Sequence, residues 1–170
     1  MPADEQQLFD FFQELDIQTT THRHPALHTV EESRELRGDL PGGHCKSLFL
    51  KDKKGQLWLI VALEDREVNL KVLHKQIGSG RLSFGKAELM WEILGVRPGS
   101  VTPFSLINDK EQQLNVVLDQ GMLEFELLNY HPLHNEATTA ISNVDLLRFI
   151  DATGHTAQRV DLTSGVEQAQ

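Results

Sequence analysis

The 170-residue sequence predicts an α/β fold of the mixed α+β kind, with helices surrounding a mixed, mainly antiparallel central sheet. Three observations support this prediction. Apolar residues between Leu8 and Leu15 follow the three-and-four spacing of one helix face. The β-rich runs Cys45–Lys51 and Leu57–Leu63 flank a turn sequence, as in a hairpin. The remaining strand and helix patterns follow one another without the regular βαβ alternation of a parallel sheet.

In the first third of the chain, helix-capping residues and proline set the expected ends of the helices and strands. A helix over about Ala3–Leu15 precedes a short polar strand over Gln18–His24, which a proline ends. Thr29 and Glu32 match the S/T-x-x-E capping box. A second helix is therefore expected from Thr29 to about Gly38.

The later elements follow from apolar runs and turn residues. Leu57–Leu63 is apolar throughout, so it is expected to be a central strand covered on both faces. Helices are predicted over Asn69–Ile77 and Lys86–Leu94, the second ended by Gly95. Strands are predicted near residues 105–108, 115–118, 124–128 and 138–141, then a helix over Val144–Ala152 capped by Ser142 or Asn143, then a strand near Thr156–Leu162.

Composition predicts one cytoplasmic domain over residues 1–170, with a polar tail at about 164–170. Hydrophobic residues at 39% and charged residues at 24% are ordinary for a globular domain. The longest apolar run is too short to cross a bilayer, and the acidic start lacks a signal-peptide pattern. The single Cys45 cannot form an internal disulfide.

The net charge of −9 argues against broad, non-specific binding to nucleic acids, and neither DNA nor a membrane is an expected partner. Two basic clusters remain, which are either solvated surface charges or a local patch. They are Lys51, Lys53 and Lys54, and Lys71, Lys75, Arg81 and Lys86.

Known catalytic motifs are missing from the sequence. It has no H-E-x-x-H, C-x-x-C, P-loop, G-x-G-x-x-G or G-x-S-x-G pattern. The clustered His22, His24 and His28 are read as surface histidines, and no metal or cofactor is expected. Cys45 is interpreted as a core cysteine of a strand.

Three segments carry polar groups that could line a cleft. Lys46 interrupts a strand and shares a face with Leu48 and Leu50, so it either snorkels at the sheet edge or points into a cleft. His131 is either a proton shuttle or a structural histidine. The third segment is the loop Gly99, Ser100, Val101, Thr102 and Pro103, which is either an ordinary connection or a backbone site for a ligand.

Together these segments resemble the prolyl-tRNA synthetase editing-domain superfamily, and most of all its free-standing Ala-tRNA(Pro) deacylases. The resemblance rests on Lys46 in HCKSLFL and the G-x-x-x-P motif in GSVTP. It extends over HPALHTVEES at 24–33, FGKAELMWEILGVRPGSVTPFSLIND at 84–109 and HPLHN at 131–135. In all it spans residues 9 to 162.

The resemblance implies a trans-acting hydrolase for mischarged tRNA(Pro), most of all Ala-tRNA(Pro), without a protein nucleophile or a cofactor. Lys46 and His131 would be catalytic, and the Gly99–Pro103 loop with Asn135 would bind substrate. The implied partners are the acceptor end of tRNA(Pro) and, transiently, prolyl-tRNA synthetase. Two alternatives stay open: a deacylase of another small mischarged amino acid such as Cys-tRNA(Pro), and a silent tRNA-acceptor-binding module.

Overall fold

A computed structural model describes residues 1–26, 31–32, 35 and 40–163. The predicted helix from Thr29 to Gly38 therefore lies mostly outside the described residues, as does the predicted polar tail at 164–170. No helix among the described residues is long and apolar enough to span a membrane.

Four helices and eight strands are described, and capping residues start several of the helices. The Asp4 side chain caps the first helix, and the Ser142 hydroxyl accepts from the Asp145 N–H at the last. The helices are α1 (Glu5–Glu14), α2 (Leu70–Ile77), α3 (Ala87–Leu94) and α4 (Asn143–Ala152). The strands are β1 (Thr20–Arg23), β2 (Gly43–Asp52), β3 (Leu57–Leu63), β4 (Leu82–Phe84), β5 (Leu114–Asp119), β6 (Leu127–Tyr130), β7 (Ala137–Ser142) and β8 (Ala157–Val160).

The strands form one mixed sheet in the order β1-β7-β6-β2-β3-β5-β8, with β4 paired to β2 off this path. The pairs β1–β7, β6–β7, β2–β3 and β2–β4 are antiparallel, whereas β2–β6, β3–β5 and β5–β8 are parallel. One edge of β2 thus meets β6 at its start and β4 at its end. The predicted mixed, mainly antiparallel sheet is confirmed.

Two apolar cores lie on opposite faces of this sheet. The larger core contains Phe49 of β2 together with residues of α1, α3 and α4. The smaller core contains Leu50 of β2 with Leu73 and Ile77 of α2. Because β3 supplies alternate residues to both cores, six of its residues are buried, as its continuous apolar run predicted.

Two expectations for strands were wrong in detail, and one strand was not predicted. The expected strand near 105–108 is a 3-10 helix, Pro103–Asn108, because Pro103 suits a first helical position and the Thr102 hydroxyl accepts from the Phe104 N–H. The expected strand near 124–128 starts later, since a 3-10 turn occupies Met122–Glu124. Strand β4 was missed because three residues are too few to show a period.

Candidate active site

Lys46 lies on the sheet face that carries the smaller core. Side chains alternate along β2, so Phe49 enters the larger core and Leu50 the smaller one. Lys46 has the same parity as Leu50 and stands opposite Ala62 of β3. Its ammonium group donates a hydrogen bond to the carbonyl oxygen of Arg66, in the turn after β3. The half-buried cation is therefore held in a defined direction at the end of an apolar face.

Asp119, at the end of β5, fixes the turn that meets Lys46. Its buried carboxylate accepts hydrogen bonds from Arg66 Nε at 3.1 Å, from the Leu63 N–H at 3.2 Å and from the Gly121 N–H at 3.2 Å. These contacts set the position of the Arg66 carbonyl. The direction of the Lys46 ammonium group is thus fixed by a carboxylate two strands away.

His131 follows directly after β6, beside β2. The parallel pairs Gly43–Leu128 and His44–Asn129 define the local register. Both predicted catalytic residues lie two positions beyond the last of these pairs, Lys46 within β2 and His131 just after the end of β6. The structure therefore brings their two backbone segments close together, and a shared cleft for the two side chains stays a prediction.

The His131 ring has a defined tautomer in its neutral form. Its Nδ1 lies 3.0 Å from the carbonyl oxygen of Ala137, which can only accept, so Nδ1 carries the hydrogen. Nε2 then presents a lone pair. Burial is the main cause that lowers the pKa of His131, which keeps the ring neutral near pH 7. Asn135 is half-buried in the bend that follows.

The loop over residues 99–103 is exposed at its Gly99 end and buried at its Pro103 end. Gly99 is exposed with φ +91°, and the space where a Cβ would stand is empty. Ser100 and Thr102 are buried, and the Thr102 carbonyl accepts a hydrogen bond of 2.5 Å from the Ser105 hydroxyl. The backbone near Gly99 is consequently accessible to a ligand, whereas the segment at Pro103 is anchored in the core.

The end of the loop and the end of β6 meet at Tyr130. The Tyr130 ring packs edge-on against Phe104, the residue after the loop, with centroids 5.6 Å apart. Its hydroxyl donates a hydrogen bond of 3.2 Å to the sulfur of Met122 in the larger core. Lys46, by contrast, has the strand parity of the smaller core, and the His131 ring lies near the ring of His24, with centroids 6.4 Å apart. Among the described residues, no hydrogen bond joins either side chain to the loop.

Cys45 packs against the larger core, as a strand cysteine was expected to do. Burial raises the pKa of its thiol to about 12. The thiol is therefore protonated at neutral pH, when a nucleophilic cysteine would need to be a thiolate.

The fold joins the two basic clusters of the sequence into one exposed group. This basic surface comprises Lys51, Lys53, Lys54, Lys71, Lys75, Arg81 and Lys86, all exposed. The Lys53 N–H donates to the Arg81 carbonyl at 2.9 Å, which connects the β2–β3 turn to β4. Within the described part of the chain, no carboxylate forms an ion pair with these seven cations. A cavity of about 680 Å³ lies among them, lined by Leu70, Lys71, His74, Lys75, Arg81 and Leu82.

Residues 24–149 match the model of the aminoacyl-tRNA editing domain, well over half of the chain. The chain belongs to this family. This editing domain is 43% identical over 146 residues to the mouse prolyl-tRNA synthetase associated domain-containing protein 1, covering 83% of this chain and 86% of the mouse protein. It is also 34% identical over 150 residues to the prolyl-tRNA editing protein ProX of Acetoanaerobium sticklandii, covering 88% and 92%.

Solved structures share the fold of this editing domain. A protein proposed to be a trans-editing enzyme for prolyl-tRNA synthetase superposes with a TM-score of 0.69 at 19% identity, covering 94% of this chain and 98% of the other. The fold class predicted from the sequence is thereby confirmed. So is the enzyme class: the chain is an aminoacyl-tRNA deacylase.

The sequence interpretation of this editing domain missed Arg66 and Asp119. Asp119 ends a buried apolar strand just before a Gly-containing turn, a place where a carboxylate commonly faces a site. That signal was present in the sequence. No local pattern indicated that Arg66 would be its partner, because only the pairing of β3 with β5 brings the Arg66 turn to Asp119.

Proposed function

We propose that this editing domain hydrolyses Ala-tRNA(Pro) in trans, releasing alanine from the terminal adenosine. The observation that carries the proposal is the pairing of β2 with β6, which brings the segments of Lys46 and His131 close together in a chain of the editing family. The names of the relatives supply the tRNA class: one is a prolyl-tRNA editing protein and another a prolyl-tRNA synthetase associated protein.

In this proposal water attacks the ester carbonyl carbon, and the bond to the ribose oxygen breaks. Negative charge grows on the carbonyl oxygen, and the Lys46 ammonium group stabilises it or holds the neighbouring phosphate as a point charge. The neutral His131 ring accepts a hydrogen bond at Nε2 from the water or from a ribose hydroxyl. The ribose hydroxyl next to the ester helps to activate the water, so the protein supplies no nucleophile.

The family resemblance assigns the Gly99–Pro103 loop to the aminoacyl end of the substrate, which would reach past the end of the sheet from Lys46 to the side of the larger core. The backbone at Gly99 is exposed, whereas the Ser100 N–H already donates to the Arg97 carbonyl and the Pro103 end is anchored in the core. Asn135, in the bend beyond His131, is assigned to the same end. Positioning of this kind accounts for a large part of many hydrolytic rates.

Alanine is the proposed amino acid because a proline pocket cannot exclude it well. Each missing methylene is worth only about 1–3 kcal/mol of discrimination, so a synthetase that binds proline also admits alanine. A second, smaller pocket that accepts alanine and rejects proline by overlap corrects the error. A free-standing deacylase in the cytoplasm, meeting prolyl-tRNA synthetase transiently, has this role in the proposal.

The basic surface is assigned to the RNA. A protein of net charge −9 repels a polyanion over most of its surface, so the acceptor end should approach where cations lack carboxylate partners. The cluster around the β2–β3 turn and the cavity beside α2 meet this condition.

The test is Lys46→Ala, measured by release of alanine from Ala-tRNA(Pro) under single-turnover conditions without added metal. We expect kcat/KM to fall roughly 100-fold or more, because a charge that stabilises the transition state is removed. Far-UV circular dichroism and the urea midpoint should stay close to those of the parent protein. Lys110→Ala is the matched control, an exposed lysine outside the basic surface. Unchanged turnover in the Lys46 variant would refute the role.

Comparison of Ala-, Cys- and Ser-charged tRNA(Pro) decides the amino acid. The proposal expects alanine to be released fastest. Hydrolysis of Cys-tRNA(Pro) alone would replace alanine with cysteine. Tight binding of the tRNA without any release would instead identify a silent acceptor-binding module.

A further inference from the structure

Phe84 is the most exposed aromatic side chain among the described residues. Its exposed fraction is 65%, compared with 44% for Phe125 and 40% for Trp91. It ends β4, a three-residue strand at the sheet edge. A single exposed apolar residue is ordinary on a protein surface. Phe84 differs because of its charged surroundings and its position relative to Lys46.

Cations lie near Phe84 at the sheet edge. Arg81 and Lys86 are close to it in sequence, and Lys51 pairs with Ser83, the residue before it, on the opposite face of β4. These three side chains are exposed members of the basic surface. An aromatic ring among unpaired cations is the combination that single-stranded nucleic acids bind, by stacking of bases and neutralisation of phosphates.

Phe84 also shares a sheet face with Lys46. It pairs in register with Leu50, which has the same parity as Lys46 on β2. Four residues of strand separate Leu50 from Lys46, or about 13 Å. At about 3.4 Å per stacked nucleotide, that distance spans about four nucleotides. Because Leu50 is buried in the smaller core, an RNA strand would pass around that core, so about four nucleotides is the shortest length that joins the two positions.

We propose that Phe84 stacks on an unpaired base of the RNA 3′ end while the basic surface holds the adjoining phosphates. The inference rests on the proposed function, in which the aminoacyl ester at the 3′ end of the RNA lies at Lys46. An intact duplex buries its base faces, so the ring needs an unpaired base or the open face of the terminal pair. Stacking tolerates any base, because every base has a π-face. Phe84 therefore contributes affinity and spacing, and it does not read sequence.

The test measures binding of two uncharged RNA hairpins by fluorescence anisotropy. One hairpin has an unpaired 3′ end like that of a tRNA acceptor stem, and the other is blunt. Phe84→Ala should weaken binding of the first roughly ten-fold, the effect typical of removing one stacked base, and leave the second unchanged. Phe84→Trp should restore binding of the first hairpin. Trp91→Ala is the control, an exposed aromatic beside the cation Arg97 on α3, and it should change neither affinity.

A reporter base locates the stack. Substitution of 2-aminopurine at each unpaired position in turn should give a fluorescence change on binding at one position only, and Phe84→Ala should abolish it. Equal weakening for both hairpins, or none for either, would overturn the proposal. So would a Phe84→Ala variant that changes only the oligomeric state in sedimentation, which would identify a second copy of the chain as the occupant. Because these RNAs carry no amino acid, the outcome is independent of whether alanine is the released group.

Discussion

At the scale of single residues, burial of the His131 ring determines the pH range in which the ring is neutral. Its Nδ1–H is donated to Ala137, which leaves Nε2 to act only while the ring is neutral. Because burial lowers the pKa of His131, the neutral ring persists below the ordinary histidine value of about 6.5. We expect kcat/KM, corrected for uncatalysed hydrolysis, to be constant near pH 7. It should fall as the pH drops through a value below about 6.5.

Substitution tests this assignment. His131→Asn should lower kcat/KM roughly 100-fold at pH 7, since general acid–base groups contribute about that much, and it should remove the acid limb of the profile. His22→Asn, at an exposed histidine of β1, should change neither kcat/KM at pH 7 nor the acid limb of the profile. An acid limb that persists in His131→Asn would assign it to another group.

At the scale of elements, Asp52 joins the two halves of the basic surface. Its carboxylate, 5% exposed, accepts from the N–H groups of Lys54 and Gln56 in the hairpin turn and from the Gly80 N–H before β4. Burial alone would raise the pKa of Asp52, but these hydrogen bonds and one from Trp58 outweigh it and lower the pKa. A buried acid beneath the cations thus holds the hairpin against β4.

Asp52→Ala should lower the free energy of unfolding by roughly 1–3 kcal/mol at pH 7, because buried donors lose their acceptor. The folded pKa is lowered, so the contribution of Asp52 is fully present above the unfolded value of about 3.9. It is lost as the pH falls through the folded pKa. Urea unfolding at pH 7 and at progressively lower pH measures both effects. Asp151→Ala, at an exposed carboxylate of α4, is the control, and equal stability of the two variants would contradict the role of Asp52.

At the scale of the whole molecule, charge is unevenly distributed. Seven cations lie together on a protein of net charge −9. Replacing Lys51, Lys53 and Lys54 by glutamate should raise KM for Ala-tRNA(Pro) more than it lowers kcat, because the substituted groups bind RNA away from the ester. The dependence of log KM on log salt should also flatten, by about one for each phosphate that the protein no longer neutralises.

Steady-state kinetics over a range of salt concentrations checks this prediction. Lys110→Glu, which adds the same kind of charge outside the basic surface, should change KM much less. If the triple variant keeps both its KM and its salt dependence, the RNA approaches another face.

The sequence by itself determined the elements whose signals are local. Helical spacing and caps set α1, α2 and α3 to within about two residues, and the Cys45–Lys51 and Leu57–Leu63 runs fall within β2 and β3. Strand parity alone placed Lys46 on the face of Leu50. These features depend on residues close together in the chain, so the sequence displays them directly.

The tertiary structure decided everything that depends on pairing between distant segments. The β2–β6 pairing brought the segments of Lys46 and His131 close together, and the β3–β5 register brought Asp119 to the turn that fixes the lysine. Pro103 and the Thr102 cap start a 3-10 helix that includes residues 105–108, where a strand was expected. Pairing of β4 with β2 joined the two basic clusters and placed Phe84 at the sheet edge. Such pairing joins residues far apart in the sequence, so no local sequence pattern predicts it.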